Sequence, residues 1–255
     1  MPNKEVRILM LGDVYSSSGL RALSFKLKQL KKELKADFAV VNAENAYNGF
    51  GLSIENMNQV FDSGADVITS GNHIWQQYEL RSFLDTVPCL LRPANYGASL
   101  PGHGFCEKDG ICVINLQGRV GMNSPEDPFK VASEIIRKVS SKVILVDFHA
   151  EDSAEKEAMG IFLNGKATVV AGTHTHVQTA DERILDNGTA YITDIGFCGP
   201  VDSVIGCDVD TALRRQKTQM PIKAVPSENM SLLKGVVVTA DSFTGKAVSI
   251  ERVVY

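Results

Sequence analysis

His174 and His176 lie two positions apart in Gly172-Thr173-His174-Thr175-His176, directly after the apolar run Thr168–Ala171. In an extended segment, side chains two apart project from the same side, so both imidazoles could face one centre. Four other apolar runs end in similar chemistry. Val6–Leu11 leads into Gly12-Asp13, Phe38–Asn42 into Ala43-Glu44-Asn45, Val67–Ser70 into Gly71-Asn72-His73, and Val143–Phe148 into His149. Taken singly these are bland, because an Asp after a strand caps the next helix and a lone His is usually a satisfied polar residue. Together they place four of the five histidines at strand ends, while His103 stands apart in Pro101-Gly102-His103-Gly104.

Imidazoles, carboxylates and amides without thiolate suit Mn, Fe, Zn or similar ions rather than a structural cysteine-type zinc. The candidate groups exceed what one four-coordinate ion can use. Two ions sharing a carboxylate fit better, and a pair roughly 3.5–4 Å apart can activate a bridging water for in-line attack at phosphorus.

The elements that must position these residues alternate in type. Besides the five runs above, Cys89–Leu91 is predicted as a strand, with helices over Leu20–Leu34, Ile54–Ser63, Gln76–Leu84 and Pro128–Val139. Ser53 and Asp127-Pro128 read as helix starts. Strand–helix repeats imply parallel strands covered by helices. Asp109-Gly110 and Asn187-Gly188 predict hairpins with type I′ turns, and Gly235–Ala240 with Ala247–Val254 a third around Thr244-Gly245. A two-sheet α/β sandwich with helices outside is expected. In open α/β sheets ligands sit beyond the carboxyl ends of strands, so five strand ends point at one place.

Length and composition limit the rest. The 255 residues, 44% hydrophobic and 22% charged, suffice for one domain spanning residues 1–255. With 26 basic and 30 acidic residues the net charge is −4, which favours neither stable nucleic-acid binding nor an anionic membrane. Lys26–Lys35 is basic, but Phe25, Leu27, Leu30 and Leu34 give it an apolar stripe, as on a solvated helix face. The N-terminal apolar run is too short for a signal-peptide core and no span reaches about 20 apolar residues, so a cytoplasmic protein is predicted. Five cysteines without a CxxC pair predict reduced thiols.

The stretches LGDV (11–14), NAENA (42–46), GNH (71–73), RPANY (92–96), NLQGR (115–119), DFHAE (147–151) and GTHTHVQTAD (172–181) resemble the YmdB-type metallophosphoesterases, a bacterial branch of the calcineurin-like superfamily. The resemblance covers nearly the whole chain. It implies a four-layer α/β/β/α sandwich of two mixed sheets and a dinuclear centre. It also implies phosphodiesterase activity on 2′,3′-cyclic or 3′,5′-cyclic nucleotides, a regulatory role in bacterial signalling, and a homo-oligomer. By the same resemblance Asp13, Asn45 and His176 would hold one ion, Asn72, His149 and His174 the other, and Glu44 would bridge them. His73 would be the general acid. Tyr15 stands where the wider superfamily has a histidine, and Glu44 where it has an aspartate.

In that scheme a metal-bridging hydroxide attacks phosphorus while protonated His73 delivers a proton to the leaving alkoxide, giving a rate that falls at high pH. Arg92 and Arg119 are candidates to fork onto the phosphate. Asp147 could orient His149, although its place in the strand points it to the opposite face. Asp194 could support the site or cap a turn, and Trp75 could stack on a base or belong to the core. Two competing readings are a non-catalytic regulator whose nucleotide-binding surface is ordered by metal, and a phosphomonoesterase or nucleotidase on the same scaffold.

Overall fold

The computed structural model describes residues 5–123 and 126–255; the first four residues of the N-terminal run lie outside it. The chain runs through β1 (Glu5–Leu11), β2 (Asp13–Val14), α1 (Ser16–Leu34), β3 (Phe38–Asn42), α2 (Ile54–Asp62), β4 (Val67–Thr69) and the single turn α3 (Tyr78–Arg81). It continues through β5 (Phe105–Lys108), β6 (Ile111–Gln117), α4 (Pro128–Ile136), β7 (Val143–His149), α5 (Ser153–Phe162) and β8 (Val169–Thr173). The last third holds β9 (Arg183–Ile184), β10 (Ala190–Ile192), β11 (Phe197–Pro200), α6 (Val209–Thr218), β12 (Ser231–Leu232), β13 (Lys234–Asp241) and β14 (Ala247–Val254).

Two mixed sheets, ordered β14-β13-β1-β3-β4 and β5-β6-β7-β8-β10-β9, pack face to face. Between them lies a core that includes Ile8, Met10, Val40, Leu145, Val169 and Val236. Helices α1 and α2 cover the outer face of the first sheet through Leu23, Leu27, Met57 and Val60, while α4 and α5 cover the second through Val131, Ile135 and Met159. This is the expected α/β/β/α sandwich. Strands β1, β3 and β4 run parallel, as do β6, β7, β8 and β10, so their carboxyl ends emerge together. A third, small sheet pairs β2 with β11 and β11 with β12, and fixes Asp13 opposite Phe197.

Local chemistry explains the element boundaries. Ser53 accepts the backbone N–H of Asn56, and Asp127 those of Phe129 and Lys130 ahead of Pro128, as their types predict. Asp109 and Gly110 both take positive φ, giving the type I′ turn of the first hairpin. The second hairpin differs. Only Gly188 of its dipeptide has positive φ, and Gly188 N–H donates to Leu185 O at 2.8 Å, so the loop uses Asp186 as well.

Other expectations need correction. Cys89–Leu91 makes only isolated bridges to Ile68 and His103, because Pro88 and Pro93 flank the run and limit any ladder. The helix expected over Gln76–Leu84 shrinks to α3, which starts at Gln77 without a side-chain cap. Phe25 is 82% exposed, so the buried stripe of α1 is Leu20, Leu23, Leu27 and Leu30, at helical spacing. All five cysteines are free.

Candidate metal centre

The strand ends do converge. Glu44, fully buried after β3, places Oε1 3.2 Å from His149 Nε2 and 3.3 Å from His73 Nδ1, while its Oε2 accepts the His73 backbone N–H. On one side of Glu44, His149 Nε2 lies 3.0 Å from His174 Nδ1 and 3.2 Å from Asn72 Oδ1. On the other, Asp13 Oδ2 lies 3.5 Å from His176 Nε2, and the Asn45 carboxamide reaches both Glu44 Oε1 and His176 Nε2. Asp13 also reaches the first group: its Oδ1 lies 3.8 Å from His149 Nδ1 and its Oδ2 accepts the His174 backbone N–H at 3.0 Å, so all the candidate metal ligands share one cluster.

The route by which His174 and His176 arrive is not the expected one. Strand β8 stops at Thr173, and both histidines have positive φ, 101° and 65°, so no pleat aims them. A bent loop does so instead, held by buried Asp194, whose Oδ2 accepts from Thr175 N–H, from the Thr175 hydroxyl at 2.8 Å and from Lys156 Nζ at 2.7 Å. Left-handed backbone at two non-glycine residues carries strain, tolerated where surrounding contacts fix it.

Each of the three clustered histidines has its second nitrogen engaged. His149 Nδ1 donates to Thr173 Oγ1 at 3.0 Å, and that hydroxyl donates to Asp147 Oδ1 at 2.7 Å. His176 Nδ1 donates to the Ile205 carbonyl at 2.8 Å, and His174 Nε2 faces Glu151 Oε2 at 3.1 Å. Partners of this kind set the tautomer and orientation of metal-ligating histidines. Burial, reinforced by His149, depresses His174 to about 3, and burial also lowers His176, so both present neutral lone pairs.

The residues fit a cation by three further observations. Glu44, His149 and His174 each offer a ligand atom within 4.8 Å of one another. Asp13 Oδ1 is buried without a hydrogen-bond partner, an arrangement that costs free energy unless a positive group faces it. A Cβ on Gly71 would lie 2.2 Å from His149 and 2.3 Å from Glu44 Oε2, so only glycine leaves the cluster its room. Asn45 turns Nδ2 toward His176 and Oδ1 toward His73; rotation about its last torsion would exchange the two, presenting Oδ1 to a cation and Nδ2 to the His73 ring nitrogen.

Beyond the cluster opens a cleft of about 500 Å³ lined by Tyr15, Phe50, His73, His174, His176 and Arg215, among others. His73 donates from Nδ1 to Asn45 Oδ1 at 2.8 Å and packs 4.3 Å from the Phe50 ring. Tyr15 stands edge-on to His176 at 5.6 Å.

One of the two arginines behaves differently from expectation. Arg92 is buried and its guanidinium is filled by the carbonyls of Pro93, Ala94, Gly97, Leu100 and Pro101; it ties a loop and does not face the cleft. Arg119 leans toward Asp127 at 3.7 Å. Trp75 packs against the α1 side core and meets Tyr96 edge-on at 5.5 Å. Asp147 does serve His149, but through Thr173. Glu151, Ile205 and Arg215 were not singled out from sequence; Glu151 stands in DFHAE, and Ile205 precedes Gly206 in a turn with no metal-ligand signature.

This constellation, on an α/β/β/α sandwich, gathers buried carboxylate and imidazole groups that could hold a metal ion. The chain matches the YmdB-like protein family over residues 9–253 and belongs to it. It is 44% identical to the 2′,3′-cyclic-nucleotide 2′-phosphodiesterase of Bacillus subtilis (strain 168), over 97% of this chain and 96% of that one. Two solved structures superpose closely. A hypothetical protein from Thermus thermophilus gives a TM-score of 0.92 at 33% identity, over 98% of this chain and 99% of that one. A novel phosphatase from Mycoplasma pneumoniae gives 0.91 at 35% identity, over 99% and 94%. Among the described residues no helix is long and apolar enough to cross a membrane.

Proposed function

We propose that this protein is a metal-dependent phosphodiesterase that hydrolyses small cyclic nucleotides, with two divalent ions as cofactor. The observation that carries the reading is the placement of two imidazole nitrogens, His149 Nε2 and His174 Nδ1, 3.0 Å apart beside Glu44 and Asn72, with Asp13, Asn45 and His176 on the far side of Glu44. The name of the Bacillus subtilis relative supports the 2′,3′-cyclic substrate class. Asp13, Asn45 and His176 would hold one ion, Asn72, His149 and His174 the other, with Glu44 shared. Iron, manganese and zinc all match this donor set.

Such a pair of ions supplies an acidified water for attack and neutralises charge developing on the phosphoryl oxygens. The chain's own groups do the rest. The neutral imidazoles of His174 and His176 and the carboxylates of Asp13 and Glu44 would hold the ions where the cluster meets the cleft, with Asp13, Glu44 and His176 buried and His174 partly exposed. His73, 23% exposed at the rim, is placed to protonate the departing ribose oxygen, while the Asn45 contact on Nδ1 orients its ring. Phe50 covers the ring's other side.

The test is hydrolysis of bis(p-nitrophenyl) phosphate and of 2′,3′-cyclic nucleotides by manganese-loaded protein. Asp13→Ala and His176→Ala should abolish turnover while circular dichroism stays native. Loaded protein inert toward every phosphodiester refutes the reading, and a clear preference for monoesters would reassign it as a phosphatase.

A further inference from the structure

A second hollow lies beside the metal cleft. It measures about 410 Å³ and is enclosed by the Ser203–Cys207 turn and α6, with Val204, Ile205, Gln216 and Met220 among its walls. Ile205, Cys207 and Arg215 line both this hollow and the metal cleft, so the two are adjacent. We propose that this hollow is the subsite that receives the nucleobase of a nucleotide substrate; the inference rests on the phosphodiesterase reading above and names which part of the substrate goes where.

The walls have the chemistry a base requires. Val204, Ile205 and Met220 are 38%, 54% and 56% exposed, apolar surface left open at a concave site where a flat ring could cover it. The Gln216 carboxamide adds one acceptor and two donors, the group type that pairs with a base edge. Among the described residues only the backbone carbonyl of Gln216 is engaged from the side, by Gln219 Nε2 donating at 2.8 Å, which leaves the carboxamide itself for a ligand.

The position of Ile205 is enforced. Val204 and Cys207 exchange two backbone hydrogen bonds at 2.9 Å around Ile205-Gly206, both at positive φ, and Ser203 Oγ accepts the Gly206 N–H. A Cβ on Gly206 would strike the Tyr15 ring at 2.6 Å. A β-branched residue at φ 47° is an outlier that packing elsewhere must maintain. The strained turn does two things at once: its carbonyl receives His176 Nδ1, and its side chain forms the hollow's wall next to the metal cleft.

Arg215 stands on the boundary. It is exposed, and among the described residues its guanidinium has no ion pair or hydrogen bond. A nucleotide with phosphorus at the cluster and its base in the hollow must cross that boundary with its ribose-phosphate, where a planar, permanently charged fork binds phosphoryl oxygens. Arg215 is thus a positioning residue for the anionic part of the substrate.

The deciding experiment compares adenosine 2′,3′-cyclic phosphate with methyl riboside 2′,3′-cyclic phosphate, which keeps the reacting ring and lacks the base, on manganese-loaded protein. Wild type should favour the nucleoside by about tenfold or more in kcat/KM. Met220→Trp, which fills the hollow, should collapse that ratio to within about threefold, chiefly through KM, at unchanged metal content. Arg215→Ala should raise KM for both substrates, with partial recovery in Arg215→Lys. Calorimetry with adenosine 3′-monophosphate and methyl riboside 3′-monophosphate reads the same preference without turnover. Equal handling of the two ring types by wild type, or an equal loss for both in Met220→Trp, overturns the subsite. If neither cyclic phosphate is cleaved, the phosphodiesterase reading falls, and the calorimetric preference still decides whether the hollow takes a base.

Discussion

His176 donates its Nδ1 hydrogen to the carbonyl of Ile205 across 2.8 Å, and the residue that accepts it is held at φ 47°. A candidate ligand is therefore aimed by a strained turn that lies 29 positions further along the chain. Because the acceptor is backbone, the side chain at 205 can change without removing it. Asn visits the left-handed region with less penalty than Ile. Ile205→Asn should raise unfolding stability by about 1 kcal/mol while manganese content is preserved. Thermal unfolding of metal-free and loaded protein checks this, and a lowered Tm in both would contradict the strain argument.

Thr173 links Asp147 to His149 by one hydroxyl, accepting from Nδ1 and donating to the carboxylate. Thr173→Val keeps the shape and removes the link, leaving a buried imidazole N–H unpaired and one donor fewer on Asp147. Loss of such an outer partner should weaken metal binding about 10- to 100-fold. The unpaired group should also cost about 1–3 kcal/mol of stability. Thr173→Ser should behave as wild type. Metal titration of the three proteins separates these outcomes.

Why the clustered residues could be picked out from sequence while their geometry could not follows from the same residues. Buried parallel strands are continuous apolar runs, so their ends, and the polar residues there, stand out one by one at Asp13, Glu44, Asn72, His149 and His174. Backbone direction past a strand end is set by tertiary contacts. Nothing local says that Thr175 is caught by Asp194 or that His174 and His176 turn left-handed, so the alternation assumed for them failed. Arg92 failed for a related reason. An arginine after a strand near a cleft can serve a phosphate or a loop's carbonyls, and only the fold of residues 93–101 shows that the carbonyls take it. Helices α5 and α6 start at Asp152 and Asp208 caps, each accepting from a backbone N–H three residues on, yet sequence reasoning missed both. Helix α6 has only Ala212 buried, so its pattern offers no apolar stripe to read.

The metal-free protein should lose stability as pH rises through the neutral range. Burial alone would lower the His149 imidazole, but the carboxylates of Glu44 and Asp13 raise it from 6.5 to about 9. A group raised in the folded state stabilises fully below its unfolded value, near 6.5, and that contribution is gone above about 9. Asp13, raised well above its usual 3.8 by burial, gives a decline of the same sign that starts in acid, whereas Glu44, despite its burial, is held low by His149 and His73 and matters only in acid. Ligation requires deprotonated His149, so a bound cation should remove the decline and bind more tightly over the same interval. Unfolding measured between pH 6.5 and 9 with chelator and with manganese tests this; a flat curve for the chelated protein would contradict it.

The role proposed for His73 has a signature that a metal ligand would not share. Its ring contacts Asn45 and Glu44 through Nδ1 and lies at the rim, outside the His149–His174 contact. His73→Asn should therefore retain metal, and turnover of a cyclic nucleotide should fall about 10²- to 10⁴-fold, the usual contribution of general acid catalysis. A ribose alkoxide needs a proton to depart, whereas p-nitrophenolate leaves unaided. The loss with bis(p-nitrophenyl) phosphate should accordingly be much smaller than the loss with the nucleotide. Equal losses for both substrates together with depleted metal would instead make His73 a support of the cluster, acting through Glu44 and Asn45.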